Sequence, residues 1–298
     1  MTRKSLSSDV ITRAYLDSLL LEVRHLDAVK PDTTLKLYGK TFATPIMTGA
    51  LSHLHRVWPN GMAEMARGAT MAGAVTFSGM GPQEELDAMV ATGASVIKCI
   101  KTYEDRGLIR DKIAHAEAVG ALAVGMDIDH AFNRRNGFDE IDGLKMSPMT
   151  TAELEKFVAS TKLPFVIKGV LSRQDAKKCL DVGVQGIVVS HHNGRLDSSL
   201  PPLMVLPEIL EVTEGKIPLF VDCSLQTGLD AFKALALGAT AVSVGRPLMA
   251  RLQEKGAEGV KEGIEEITRD LAYTMGMTCT PDLAHVDRSV VRMGSFTW

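Results

Sequence analysis

The chain has only four cysteines in 298 residues, Cys99, Cys179, Cys223 and Cys279, and no two of them form a C-x-x-C pair. That spacing suggests neither a zinc site nor a disulfide framework. There is no apolar run of about 18 residues, the length that a membrane-spanning helix needs. The opening MTRKSLSSDV lacks the apolar stretch of a secretory signal, and the expectation is a cytoplasmic protein. Excess charge of one sign is missing too: the net charge is −3 and the basic residues are scattered. This leaves no electrostatic footprint for nucleic acid or an anionic membrane. No G-x-G-x-x-G follows an apolar run, which argues against a doubly wound dinucleotide-binding sheet, and no haem or iron–sulfur motif is present. Small-molecule chemistry is what these absences leave.

What is present is a recurrence of short apolar runs: PIMTGA (45–50), AVTFS (74–78), SVIKCI (95–100), LAVGMDID (122–129), PFVIKG (164–169), GIVVSH (186–191), PLFVDC (218–223) and AVSVGR (241–246). Their β-branched residues mark buried parallel strands. Between them lie amphipathic segments such as GMAEMARGATMAG, EELDAMVATG and TGLDAFKALALGA, with glycine at their C-terminal ends as helices prefer. Strict alternation of strand and helix argues a parallel sheet, and eight repeats argue closure into a (β/α)8 TIM barrel. A hydrophobic content of 45% is ample for its core. The reading is a single barrel domain over 1–298. Residues 1–44 form an entry segment: a helix over ITRAYLDSLLLEVRHL, then an extended TTLKLYGKTFA placed to plug the barrel's bottom. The tail from Ala257 reads as closing helices.

Catalytic groups of such barrels sit at the C-terminal ends of the strands. The last two units, VDCSLQTG and VSVGRP, occupy the place where barrels commonly bind phosphate, so Ser224, Gly245 and Arg246 are phosphate ligands or simply parts of tight turns. Lys168 emerges after a five-residue apolar run. It either forms a Schiff base, stabilises an anionic ring, or pairs with Asp127 or Asp222. His192 and Arg195, three residues apart, unite an acid/base imidazole with a carboxylate-binding guanidinium. Asp127 ends the fourth strand and is placed to orient His192. His191 is the structural neighbour, while Asp129 and His130 either serve the site or cap the next helix or face solvent.

Together these residues resemble the FMN-dependent α-hydroxy-acid oxidase/dehydrogenase family, which includes glycolate oxidase and lactate oxidase. PIMTGA is similar to its first strand, IKGV to its flavin lysine, SHHNGRLD to its S-N-H-G-x-R-Q-L-D signature, and FKALALGATAVSVGRPLM to its last unit. The resemblance covers nearly the whole chain. It implies FMN as cofactor, with Thr48, Ala50, Ser78 and Lys98 near the flavin, Lys168 and Ser190 on the ring, and Asp222 on the ribityl chain. Ser224, Gly245 and Arg246 would take the phosphate. It implies His192 as base with Asp127 as partner, Arg195 as clamp on the substrate carboxylate, and His130 where the family has a second arginine. The substrate would be a small carboxylate, no metal is implied, and a homo-oligomer, tetramer or octamer, is expected.

The departures are specific. The family's D-G-G-[VI]-R-x-G reads Asp222-Cys223-Ser224-Leu225-Gln226-Thr227-Gly228, so Gln226 replaces a phosphate-binding arginine. Lys98 stands for the glutamine of strand three, and Ile100 for a substrate-binding tyrosine. Ile100 and His130 together suggest a substrate other than glycolate or lactate. The competing readings are a flavin barrel without net oxidation, resembling type 2 isopentenyl-diphosphate isomerase, a Schiff-base lyase at Lys168, and a ligand-binding barrel that has lost catalysis.

Overall fold

The computed structural model describes residues 7–134 and 137–294. Eight parallel strands surround one interior: β1 (Ile46–Thr48), β2 (Thr76–Ser78), β3 (Val96–Lys101), β4 (Ala123–Asp127), β5 (Phe165–Val170), β6 (Gly186–Val189), β7 (Leu219–Val221) and β8 (Ala241–Val244). From β2 to β8 each pairs with its sequence neighbour, and β8 pairs back with β1 through Val242↔Ile46 and Val244↔Thr48. The seam between β1 and β2 is closed by single bonds: Thr48 N–H donates to the Val75 carbonyl at 3.2 Å and Phe77 N–H to Thr48 Oγ1 at 3.1 Å. Each of the eight strands coincides with one of the apolar runs of the sequence, β3 and β5 extending one residue beyond theirs to Lys101 and Val170, and the TIM barrel is observed.

Alternate residues of each strand fill the barrel, as the period of two requires. Met47, Val75, Phe77, Ile97, Cys99, Val166, Val188 and Phe220 form one buried cluster, with the Phe77 and Phe220 rings edge-to-face at 6.1 Å. The hairpin Leu35–Leu37/Lys40–Phe42 contributes Leu35, Leu37 and Phe42 to that same cluster, which closes the barrel's lower end as the extended segment suggested.

The outer layer comprises α1 (Ser8–Ser18), α2 (Gly61–Met71), α3 (Gln83–Ala91), α4 (Arg106–Ala118), α5 (Thr151–Val158), α6 (Arg173–Asp181), α7 (Pro202–Thr213), α8 (Gly228–Ala236) and α9 (Arg246–Met277). Helix α8 starts from a capping box in which Thr227 accepts from Asp230 N–H, a fixed geometry directly after β7. The α9 segment bends at Lys255–Gly256, where Gly256 takes φ +58° beneath Trp58. Among the described residues no helix is long and apolar enough to cross a membrane.

The entry helix is shorter than its sequence pattern. It stops at Ser18 because Leu19–Leu21 pairs antiparallel with Val291–Met293, giving those backbone groups ladder partners. The closing segment is likewise helical only to Met277 and ends in that strand.

Gly228 has no room for a side chain: a Cβ there would lie 2.0 Å from Leu271 N and 2.5 Å from the Ile267 carbonyl oxygen. Gly228→Ala should therefore cost about 3 kcal/mol of stability through overpacking of α8 on α9. A urea melt with an undiminished midpoint would contradict this packing.

Candidate active site

The C-terminal strand ends bring four acids and their cations into one buried network. Lys101, at the end of β3, donates to Asp127 Oδ2 at 2.6 Å, and both side chains are buried. Lys168 Nζ lies 3.9 Å from Asp127 Oδ1 and 3.6 Å from Asp222 Oδ2. Burial alone would raise the Asp127 pKa, but Lys168 and then Lys101 outweigh it and hold it well below the usual carboxylate range. Burial would lower Lys168, yet Asp127 and Asp222 raise it above an ordinary lysine. A lysine held so firmly cationic is a poor Schiff-base nucleophile and a good stabiliser of negative charge.

His192 follows β6 in a turn that twice visits the left-handed region, with φ +51° at His192 and +53° at Asn193. Such conformations in residues other than glycine are uncommon and cluster at functional sites. The strand ends at Val189, and Ser190 Oγ accepts from His192 N–H at 3.0 Å. His192 Nδ1 donates to Asp129 Oδ1 at 2.8 Å, with Asp127 Oδ1 farther off at 3.4 Å. From the sequence, Asp127 is the expected partner of His192. In the structure Asp129 is the nearer carboxylate, and Asp127 is engaged chiefly by Lys101. Gly169 makes this approach feasible: at φ +97° it sits at the irregularity in β5, and a Cβ there would lie 2.8 Å from Asp129 Oδ2.

His192 Nε2 lies 3.2 Å from His130 Nε2, and the two rings meet edge-on at 4.4 Å. His130 Nδ1 lies 3.1 Å from Asp139 Oδ2, the same oxygen that accepts from Arg195 Nη2 at 2.8 Å. Nδ1 of His130 therefore carries its proton, Nε2 accepts, and His192 supplies the hydrogen between the rings. Burial, Lys101 and His192 push His130 down to about 3, so it is neutral. Burial and Lys168 push His192 down, but Asp127 and Asp129 outweigh them and hold it above 6.5. The donor atoms of Asp127, Asp129, His130 and His192 lie within 4.8 Å of one another, with Lys101 and Lys168 already supplying positive charge beside them.

A cavity of about 940 Å³ runs from Lys168 and His192 past Ala50 and Asp222 to Ser224, Gly245 and Arg246. A Cβ on Gly49 would lie 2.7 Å from Gly245 Cα, so glycine there keeps β1 and β8 close beneath the cavity. Cys223 and Ser224 hold φ of +72° and +60°, keeping the left-handed turn without the paired glycines of the related motif. Size, shape and a cation at each end fit a flavin mononucleotide: Lys168 and Ala50 would hold its ring end, Asp222 its chain, and Ser224, Gly245 and Arg246 its phosphate.

The expected cofactor residues do not all reach that cavity. Thr48 is buried beneath it, its Oγ1 taken by Phe77 N–H and its carbonyl by Ser243. Ser190 joins Lys168 and His192 from behind, at 3.4 Å from Lys168 Nζ. Lys98 is the clear correction. Ile97 and Cys99 face the interior, so Lys98 and Ile100 face the helices, and Lys98 donates to Ser78 Oγ at 3.2 Å and the Gly79 carbonyl at 2.5 Å. The alternation brings Lys101 to the mouth instead. Burial lowers Lys98 to about 8, in keeping with a structural anchor, and Ser78 is spent on it.

Helix α1 was expected only as an entry segment, yet Asp9, Val10, Arg13 and Asp17 line the cavity. Arg13 donates to the Ser224 carbonyl at 3.1 Å and to both oxygens of Asp230, at 2.8 and 3.0 Å. It braces the loop that contains Gln226. His191 turns toward α1, where its Nδ1 accepts from Gly194 N–H and its Nε2 donates to Thr12 Oγ1 at 2.7 Å.

The two histidines bend the pH dependence of stability in opposite directions. His192, raised in the fold, contributes fully below its unfolded value of 6.5 and loses that contribution as pH rises through the higher folded value. His130, depressed, contributes fully above 6.5 and loses it as pH falls from there toward about 3. In urea melts across pH, His192→Gln should flatten the alkaline limb of the curve and His130→Gln the acid limb; unchanged slopes would refute the pairing.

The sequence matches the family model for FMN-dependent dehydrogenases over residues 7–154 and 140–293. 2-Hydroxyacid oxidase 2 of Homo sapiens is 30% identical over 319 residues, covering 96% of this chain and 91% of that protein. Glycolate oxidase of Spinacia oleracea is 27% identical over 300 residues, covering 89% and 81%. Among solved structures, mandelate oxidase superposes with a TM-score of 0.87 at 28% identity over 98% of this chain and 93% of that one. A mandelate oxidase variant carrying a monooxide FMN adduct gives the same score, at 29% identity over 97% and 92%. The fold, the cavity and these likenesses agree: the chain belongs to the FMN-dependent dehydrogenase family and is an FMN-dependent oxidoreductase.

Proposed function

We propose that the chain oxidises a 2-hydroxy acid to the 2-oxo acid, with His192 as proton acceptor and Arg195 as carboxylate clamp. The observation that carries this is one shared oxygen: Asp139 Oδ2 contacts both Arg195 and His130, and His130 in turn touches His192 Nε2. A carboxylate therefore fits between the guanidinium and the imidazoles, one ring away from the base. FMN, when bound, supplies the two-electron acceptor. The chain's own residues do the rest. Arg195 and His130 orient the acid, Asp129 fixes the His192 ring through Nδ1, and His192 Nε2 takes the hydroxyl proton. Lys168, cationic at the cavity floor, balances charge gained there.

His192 can accept a proton at Nε2 only after releasing the one it shares with His130. The rate constant kcat/KM should accordingly rise with pH along a single-proton limb whose midpoint lies above 6.5, the ordinary histidine value. His192→Gln should lower anaerobic flavin reduction about a thousandfold while FMN content is retained. Equal reduction rates in the two proteins would sink the assignment.

The substrate on this reading is not glycolate or lactate. Ile100 no longer argues for that, because it faces the helices, but Lys101 and His130 remain at the mouth where a tyrosine and an arginine would be expected. Across a panel of 2-hydroxy acids under anaerobic conditions, others should bleach the flavin more efficiently than these two; lactate as the best substrate would refute it.

A further inference from the structure

The geometry points to Asp139 as a specificity-determining residue: its carboxylate occupies the place of the substrate carboxylate between Arg195 and His130, so an incoming acid must displace it. This rests on the function proposed above.

Asp139 is a built feature rather than a loosely placed side chain. It lies at the junction of two small hairpins after β4, Phe132–Asn133/Gly137–Phe138 and Glu140–Ile141/Leu144–Lys145. Its N–H donates to the Ala131 carbonyl at 3.1 Å, and its carbonyl accepts from Met146 N–H at 2.8 Å. Its Oδ1 accepts from Glu140 N–H at 3.1 Å, which leaves Oδ2 to Arg195 at 2.8 Å and His130 at 3.1 Å. The carboxylate is 13% exposed, against 30% for the Arg195 side chain. Arg195 is fastened from a second side by the Phe132 carbonyl at 2.5 Å.

The charge arrangement gives this contact its consequence. Among the described residues each cation at the mouth already has an acid: Lys101 has Asp127, Lys168 has Asp222, His192 has Asp129 and Arg195 has Asp139. Within that described set the charges are paired. A substrate carboxylate takes the position between Arg195 Nη2 and His130 only by exchanging with Asp139, and that exchange subtracts from the affinity of every acid that binds there. Small acids with few other contacts are penalised most, relative to their total binding.

The test uses the FMN-loaded protein and Asp139→Asn. Oxalate, an unreactive carboxylate, is titrated anaerobically against the flavin spectrum, and KM and kcat are measured for a reactive 2-hydroxy acid and for its uncharged primary amide. Asp139→Asn should tighten oxalate and lower KM for the acid by about tenfold or more, the worth of one freed charge-assisted bond, with KM for the amide unchanged. Asp139→Glu should restore the weak binding. Weaker or unchanged oxalate binding in Asp139→Asn, or equal shifts for acid and amide, would overturn the inference. Should the asparagine variant fail to fold, Asp139→Ser makes the same comparison. Tightened oxalate with no 2-hydroxy acid bleaching either protein would uphold the carboxylate competition and reject the proposed reaction; no oxalate response together with no bleaching would reject both.

Discussion

The ionic cluster around Asp127 is the constraint on which the rest of the mouth depends. A buried carboxylate is tolerated only with cations close at hand, and two lysines from adjacent strands provide them. Lys101 makes the short contact to Asp127, Lys168 and the His192 ring stand farther from it at 3.9 and 3.4 Å, and His192 makes its own short contact to Asp129, two residues beyond the strand end. The chain of contacts then extends to His130, Asp139 and Arg195, each member satisfied by the next. Removing one partner would leave a buried charge exposed to its like neighbours, so the network behaves as a unit.

Backbone strain is present where that network meets the cofactor cavity. His192, Asn193, Cys223 and Ser224 all adopt left-handed conformations on the two loops that follow β6 and β7. Each costs of order 1 kcal/mol or more and persists only because its surroundings over-determine it. For the second loop those surroundings include Arg13, which ties the Ser224 carbonyl to Asp230 at the start of α8. The loop shape expected of a glycine pair is thus maintained by a side chain from the far end of the sequence.

The barrel was legible because its signal is local: eight apolar runs with β-branched residues, separated by amphipathic helices, cannot be mistaken for many other folds. His192, Arg195 and Lys168 were legible for the same reason, as ionisable residues at strand ends. Lys98 was misplaced by a single residue of register, and in a strand that reverses the side chain. The interior alternation Ile97, Cys99, Lys101 holds the correction within the sequence itself. Asp129 lost to Asp127 because a loop residue's direction is set by the turn and by the Gly169 bulge on a different strand. Arg13 and Asp139 carried no local signal. Arg13 reads as a surface pair with Asp17, four residues on, and its contact with Asp230 exists only after the barrel closes.

The antiparallel pairing of Leu19–Leu21 with Val291–Met293 also has a kinetic meaning. It joins segments separated by almost the entire chain, so its entropy of closure is recovered only when the barrel between them is already assembled. Helix α1, which immediately precedes that strand and walls the cavity with Asp9 and Arg13, docks in the same event. Cofactor competence is thereby a late acquisition in folding. The nearly complete barrel exists before the wall of its own cavity, and a flavin arriving early would meet an open cleft.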